Sequence, residues 1–386
     1  MASTREFFAK KKDWSRYKDD LLISYILPYF TKVMSTKIPI VYIDGFAGKG
    51  KFDDGSEGSP LLVKEKIYQA KAISSFKDTP IDAYFVEYAY ADLLRANLSD
   101  CTMKVIQGDY RMEVPKILRN NYKKNIFLYV DPYGIKYLDF GIFSGLNTNK
   151  YKSVELLLNF NSFGFLREGS RLLKFEMESI EEEIPDFSID GNDFKNDIAN
   201  MNRIANGEYW QDILAMKNAG EINIFQAEKL FLDQYIKELE KVFNYVCRIP
   251  IRNSKSQLSK YQMIFATNNN HGILMMADYM INCTAKMDVD IHHGQLCLFD
   301  YDYRVADCKE FVANDLPDAF IEIKNFYADL YKKKGFRYLT KDMNNAIKEL
   351  EQECKLEIVR YPALTPTGRV SKSMNIYKST ILIKRK

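Results

Sequence analysis

Residues 13–34 place Trp14, Tyr17, Leu21, Leu22, Tyr25, Ile26 and Tyr29 at spacings of three and four. That stripe predicts an amphipathic helix opening at Asp13 and disturbed near Pro28. A short apolar run, IPIVYID, follows and ends in the turn GFAGKG. Beyond it the pattern alternates: a helix near 61–73, a strand at 81–87 (IDAYFVE), a helix at 88–97, a strand at 103–109 (MKVIQGD), a helix near 112–120, then strands at 125–132 (NIFLYVDP) and 153–160 (SVELLLNF). Short β-rich runs separated by helices predict β-α-β units and an open parallel sheet buried on both faces. Residues 165–242 turn helical and polar, as an insertion over the sheet's edge, and the strands YVCRIPI (245–251) and YQMIFAT (261–267) complete the sheet. After Leu316 come helices at about 318–333 and 340–353 and two closing strands, KLEIVRY and MNIYKSTILIKR, an order that resembles a winged helix. The expected organisation is therefore an N-terminal helical segment (1–36), an α/β domain (37–310) with its insertion at about 165–242, and a basic module (315–386).

Composition narrows the class. The chain has 386 residues, 46% hydrophobic and 14% aromatic, enough to bury a sizeable core and too apolar for wholesale disorder. Six Cys show no C-x-x-C spacing, which argues against a disulfide scaffold or a zinc site. The N-terminus is polar where a signal peptide needs an apolar stretch, and no run reaches membrane-spanning length, so a soluble, cytoplasmic protein without membrane contact is expected. Net charge is only +3, but it is unevenly spread. Residues 332–386 hold 14 Lys/Arg against five Asp/Glu, and 176–197 hold nine acids against one base. The basic segment suits a surface for a polyanion, a solvated basic face or a protein-docking surface.

Open parallel sheets bind ligands at the carboxyl ends of their strands. Four of those ends here are acids: Asp44, Glu87, Asp109 and Asp131. After Asp44 come Gly45, Phe46, Gly48 and Gly50, where glycines allow a tight turn and close approach of backbone amides to a ligand, or make a plain turn. Gly45 to Lys51 spells G-x-x-x-x-G-K, but Phe52 supplies no hydroxyl for Mg²⁺, which weakens a nucleotide-hydrolysing P-loop reading. Glu87 at the second strand end is placed to accept ribose hydroxyls. Asp109 is placed either to accept an exocyclic amine such as that of adenine or to cap the helix near 112. Together these imply a nucleoside ligand.

D-G-F-A-G-K-G, the acid Glu87, G-D at 108–109 and D-P-Y-G at 131–134 resemble class I S-adenosylmethionine-dependent methyltransferases over about residues 40–160. More narrowly, W-S-R-Y-K-D-D-L-L (14–22), Y-I-D-G-F-A-G (42–48), G-S-P-L (58–61), V-D-P-Y-G (130–134), L-N-F (158–160) and Y-Q-M-I-F-A-T (261–267) resemble the bacterial three-Cys-motif partner family. Its members are methyltransferase-like proteins with a winged-helix-type C-terminal module. The resemblance implies a Rossmann-like methyltransferase sheet, S-adenosyl-L-methionine as cofactor, and a three-Cys-motif protein as a partner. Asp131-Pro132-Tyr133-Gly134 is similar to the D-P-P-Y of adenine amino methyltransferases and to a D-P-F-G of transfer-RNA guanine methyltransferases. In that reading Asp131 and the Pro132 carbonyl accept both hydrogens of a target amine, Tyr133 stacks on the base, and Gly134 lies beside the substrate. A strand-ending turn suits D-P-x-G as well.

Lys18, in the helix resembling the family's own, is positioned to meet a carboxylate or phosphate, or solvent. Asn159 at the fifth strand end orients a substrate or caps a turn. His292 and His293 are adjacent and would face opposite sides of a strand, so no metal is expected. His271 sits in no nucleophile-elbow pattern. The sequence thus predicts a methyltransferase acting on an amine, foremost of a DNA or RNA base. The alternative is a non-catalytic nucleotide-sensing or partner-binding module on the same fold.

Overall fold

The computed structural model describes residues 11, 13–99, 102–146, 149–175, 197–252, 259–291 and 300–386. Contacts divide it into two units, Met1–Asn268 and Asn269–Lys386.

In the first unit, α1 (Asp13–Met34) leads to β1 (Ile40–Asp44), α2 (Ser59–Ile73), β2 (Ile81–Glu87), α3 (Ala91–Leu98), β3 (Lys104–Gln107), α4 (Tyr110–Arg119) and β4 (Asn125–Val130). A 3-10 turn (Ile135–Tyr137), α5 (Phe140–Ser144), β5 (Ser153–Phe160), α6 (Ser162–Leu172), α7 (Ile198–Ala205), α8 (Tyr209–Asn218), α9 (Ile224–Glu240), β6 (Tyr245–Ile251) and β7 (Tyr261–Thr267) follow. The seven strands lie in the order β3-β2-β1-β4-β5-β7-β6. β1 to β5 pair in parallel, and β7 runs antiparallel between β5 and β6. This is the sheet of the Rossmann-like methyltransferase fold. Every residue of β1, β4 and β7 is buried, as a sheet covered on both faces requires.

The two faces are filled differently. On one, Tyr25, Tyr29 and Phe30 of α1 meet Tyr42, Phe127 and Phe265 at ring separations of 5.1–6.4 Å. On the other, Ile43, Leu128, Leu156 and Ile264 share a core with Val114, Phe140, Leu166, Trp210 and Phe231. The helices after β5 therefore pack against this face, not over the edge as expected, because α6 to α9 each bring apolar residues that the sheet buries. The acidic stretch at 176–196 lies outside the described residues.

The second unit holds α10 (Asn270–Ile291), α11 (Asp300–Ala313), the two-residue strand β8 (Ile321–Glu322), α12 (Ile323–Lys334), α13 (Thr340–Gln352), β9 (Leu356–Tyr361) and β10 (Thr380–Arg385). Its antiparallel sheet has the order β8-β10-β9. The unit begins well before the expected 315 boundary. One reason is Asp278 of α10, which accepts the Thr340 backbone N–H at 2.7 Å and so holds the start of α13. Among the described residues no helix is long and apolar enough to cross a membrane.

Candidate functional site

In the strand order β1 sits between β2 and β4, so the chain reverses direction across the sheet beside β1, and a crevice opens there at the carboxyl ends. The turn after β1 forms its floor. Gly45 donates to the Tyr129 carbonyl at 2.9 Å, and Ala47 to the Val86 carbonyl at 3.0 Å, tying the turn to both neighbouring strands. Gly48 and Gly50 adopt φ of 63° and 80°, the left-handed region that side chains resist. Phe46 stacks on Tyr110 at 4.8 Å.

Asp44 is fully buried, accepting the Phe46 N–H at 3.1 Å and the Ser59 hydroxyl at 2.7 Å. Burial pushes its carboxyl up to about 7. Glu87, 3% exposed, accepts backbone N–H groups of Gly48 (2.8 Å), Ala89 (2.8 Å) and Tyr90 (3.1 Å). A carboxylate has about four acceptor positions, so Glu87 shapes the glycine turn and keeps little capacity for a ribose. Asp109 caps α4 through the Arg111 N–H at 2.8 Å and holds the Arg111 guanidinium at 2.6 and 3.0 Å. Burial acts to raise the Asp109 carboxyl, but the Arg111 hydrogen bonds outweigh it and hold the group below the usual carboxylate range. Of its two expected roles, the geometry displays the cap.

The carboxyl end of β4 gathers the rest. Asp131 accepts Lys18 Nζ on both oxygens (2.9 and 2.8 Å), Asn159 Nδ2 at 2.6 Å and the Tyr129 hydroxyl at 3.3 Å. Lys18 is 7% exposed and its Nζ lies 5.0 Å from the Tyr261 ring centroid. Burial acts to lower the Lys18 pKa, yet the Asp131 charge overrides it and the pKa stands above the ordinary lysine value. Asp19, next along α1, pairs with Lys11 at 2.5 Å, and burial pushes its carboxyl up to about 6. Burial likewise drives the Tyr133 hydroxyl up, with the nearby Glu87 charge adding to it. Asn161, not Asn159, caps the following helix, accepting the Gly164 N–H at 2.8 Å. Gly134 is extended, and a Cβ there would meet nothing within 4 Å.

Lys18, Phe46, Gly48, Gly50, Asp131, Pro132 and Tyr133 line one cleft, joined by Asp19, Ser59 and Tyr261. Its empty volume, open mouth included, is about 730 Å3. Gly45, Asp44, Glu87 and Asn159 stand behind its walls, and Asp109 is not among its lining. Asp19 and Tyr261 escaped the sequence reading although both sit inside motifs quoted for the family resemblance. Their signal was adjacency to Lys18 and a strand-initial aromatic, neither of which specifies chemistry. His292 and His293 lie outside the described residues, and among the described residues no three His, Cys, Asp or Glu cluster as metal ligands would.

The chain matches no protein-family model and no curated protein. Among solved structures it is similar to a spermidine synthase from Thermotoga maritima, at 7% identity and a TM-score of 0.33, covering 76% of this chain and 74% of that one. It is also similar to a spermidine synthase in complex with the transition-state analogue AdoDATO, at 8% identity and a TM-score of 0.32, covering 74% of each.

Proposed function

We propose that this protein is an S-adenosylmethionine-dependent N-methyltransferase whose acceptor is an amine, foremost the exocyclic amine of a DNA or RNA base. The observation that carries the reading is Asp131, a carboxylate at the end of β4 held among hydrogen-bond donors beside the glycine turn. The residues present suit the cofactor. Carboxylates at Asp19 and Asp131 line the crevice and those of Asp44 and Glu87 stand behind it, an acidic surrounding that favours a cationic sulfonium and disfavours the polyphosphate of a P-loop enzyme. The glycine turn would hold the nucleoside end, and Glu87 and Asp44 would support the turn from behind.

S-adenosylmethionine held at the glycine turn would supply an electrophilic methyl group to the amine, whose surplus proton would pass to solvent. Asp131 orients the amine and stabilises the positive charge that grows on nitrogen, an interaction stronger in the transition state than before it. Pro132 and Tyr133 line the approach, Tyr133 offering a ring for stacking.

In the second unit, the order α11, β8, α12, α13, β9, loop, β10 with β10 central supports a winged-helix reading, and with it the resemblance to the three-Cys-motif partner family. Its basic balance supports contact with nucleic acid. The full hydrogen-bond complement already on Asp131 favours one second reading, a partner-binding module that no longer turns over. The experiment is transfer of labelled methyl from S-adenosylmethionine to total RNA, genomic DNA and small-molecule extract, with and without a three-Cys-motif protein. Label in a base supports the enzyme. Cofactor binding with no labelled product in any arm would replace it by the second reading.

A further inference from the structure

We propose that Arg119, Lys123, Lys150 and Lys152, with Tyr122 among them, form a second binding surface, for a single-stranded nucleic acid, at the end of the sheet opposite the cleft. The cleft lies at the carboxyl ends of the strands, whereas these residues flank the amino ends of β4 and β5. β4 runs through six residues, so the surface stands roughly 20 Å from Asp131 at ~3.3 Å per residue.

Backbone hydrogen bonds assemble the surface from separate segments. Lys123 donates to the Lys150 carbonyl at 2.7 Å and Lys152 to the Lys124 carbonyl at 2.9 Å, fastening the loop after α4 to the loop before β5. Asn125 donates to the Pro39 carbonyl at 2.9 Å, which brings the loop holding Lys37 alongside. Residues 35–39, 119–124 and 149–152 together hold six cations and no acid. Lys124 pairs with Asp82 at 3.1 Å, while the other five are exposed and form no ion pair among the described residues. Like charges gathered in this way repel one another, and a polyanion relieves the repulsion.

Local structure does not account for the lysines. Lys37 and Lys123 occupy left-handed backbone, with φ of 58° and 64°, where Gly or Asn serves at less cost. Arg119 closes α4 and complements the negative end of that helix, but Lys150 and Lys152 lie in the last turn of no helix.

Charge alone suits any polyanion, and Tyr122 selects among them. It is 46% exposed and leans on buried Tyr151, the ring centroids 5.6 Å apart. Burial, and next to it Tyr122, push the Tyr151 hydroxyl up to about 12 while the Arg119 charge opposes the rise, so a guanidinium lies near the same ring pair. A propped ring among cations fits a strand whose bases are unpaired: Lys and Arg meet its phosphates, and a base stacks on Tyr122. A duplex keeps its bases stacked inside, and an acidic polypeptide backbone brings no base to the ring.

The measurement is fluorescence anisotropy of a labelled single-stranded RNA of about fifteen nucleotides with the full chain, in a salt series. Lys123→Ala/Lys150→Ala/Lys152→Ala should lower affinity about ten-fold or more and the log–log salt slope by about two units, near ~0.7 per lost phosphate contact. Tyr122→Ala should weaken binding about five-fold or more with the slope unchanged, and Tyr122→Phe should restore it. Duplex RNA of the same sequence should not respond to Tyr122→Ala. The replaced residues are exposed, and an unchanged thermal midpoint checks that each variant folds. Wild-type affinity in the triple variant overturns the surface. Wild-type affinity in Tyr122→Ala, with poly-glutamate bound as tightly as RNA, overturns the strand as its occupant. A second measurement uses the unaltered chain: photocrosslinking of a thiouridine-substituted strand, read by peptide mass spectrometry. Crosslinks should fall on the peptides holding Tyr122 and Tyr151, and crosslinks confined to residues 269–386 overturn the surface. No S-adenosylmethionine enters either assay, so failure of methyl transfer and failure of this surface are separate results.

Discussion

Lys18 and Asp131, 113 residues apart in the chain, form a two-pronged ion pair that pins α1 to the end of β4. The pair is largely withdrawn from water, with side chains 9% and 24% exposed. Removing one partner of such a pair strands the other, which costs more than the pair itself contributes.

Asp131→Ala should therefore destabilise the fold by about 3 kcal/mol, the lower end for a buried pair because Asp131 is partly solvated. Asp131→Asn, which keeps the shape and the Tyr129 hydrogen bond, should cost less. Both should retain S-adenosylmethionine binding and lose nearly all methyl transfer. Denaturant melts beside calorimetry and single-turnover labelling check this; full turnover in a folded Asp131→Asn protein would remove Asp131 from the chemistry.

Glu87 serves the turn before it serves any ribose. Glu87→Ala frees the amides of Gly48, Ala89 and Tyr90, so stability should fall by about 1–3 kcal/mol even without ligand. Cofactor affinity should fall with it. Unchanged unfolding together with weakened binding would mean that Glu87 acts on the ligand alone.

Glu155 is buried under α1, accepting the Tyr25 hydroxyl at 2.6 Å, and burial raises its carboxyl from 4.5 to about 7. The folded state then binds a proton more tightly than the unfolded chain. This contribution is complete below pH 4.5 and is lost as pH rises through 7, amounting to about 3 kcal/mol at most. Glu155→Gln should flatten that slope, gaining on wild type between pH 5 and 8. A wild-type stability difference that Glu155→Gln leaves untouched would place the proton elsewhere.

Charge in the second unit is not where the helix order suggests. α13 carries Lys341 and Lys348 but also Asp342, Glu349 and Glu351, whereas residues 362–379 hold Arg369, Lys372 and Lys378 and no acid. Duplex DNA or structured RNA should bind with an affinity that falls steeply with salt. Replacing those three residues by Ala should lower the log–log salt slope by about one unit per lost phosphate contact. Replacing Lys341 and Lys348 should do less. Salt-independent binding, or none, would point this unit toward protein docking.

Hydrophobic pattern alone placed the strands at 81–87, 153–160, 245–251 and 261–267 to the residue, and put Asp44, Glu87 and Asp131 at strand ends. Those features are local: period and length decide whether a segment lies in a parallel sheet buried on both faces, and strand ends follow. The same reasoning passed over α10 and α11, and over β8. α10 is apolar over much of its surface, with Met275, Met276, Met280 and Met287 all buried, so it shows no clean stripe, and β8 is two residues long. Pattern also left Asp109 between two roles that only its hydrogen bonds to the Arg111 backbone N–H and guanidinium separate. The site itself was beyond reach of sequence order. Lys18, Asp131, Asn159 and Tyr261 lie on four segments, and each alone reads as a solvated lysine, a turn, a cap and a strand residue. Crossovers bring α1, β4, β5 and β7 to one end of the sheet, and only there does a buried ammonium find its carboxylate while one amide oxygen is left without a donor.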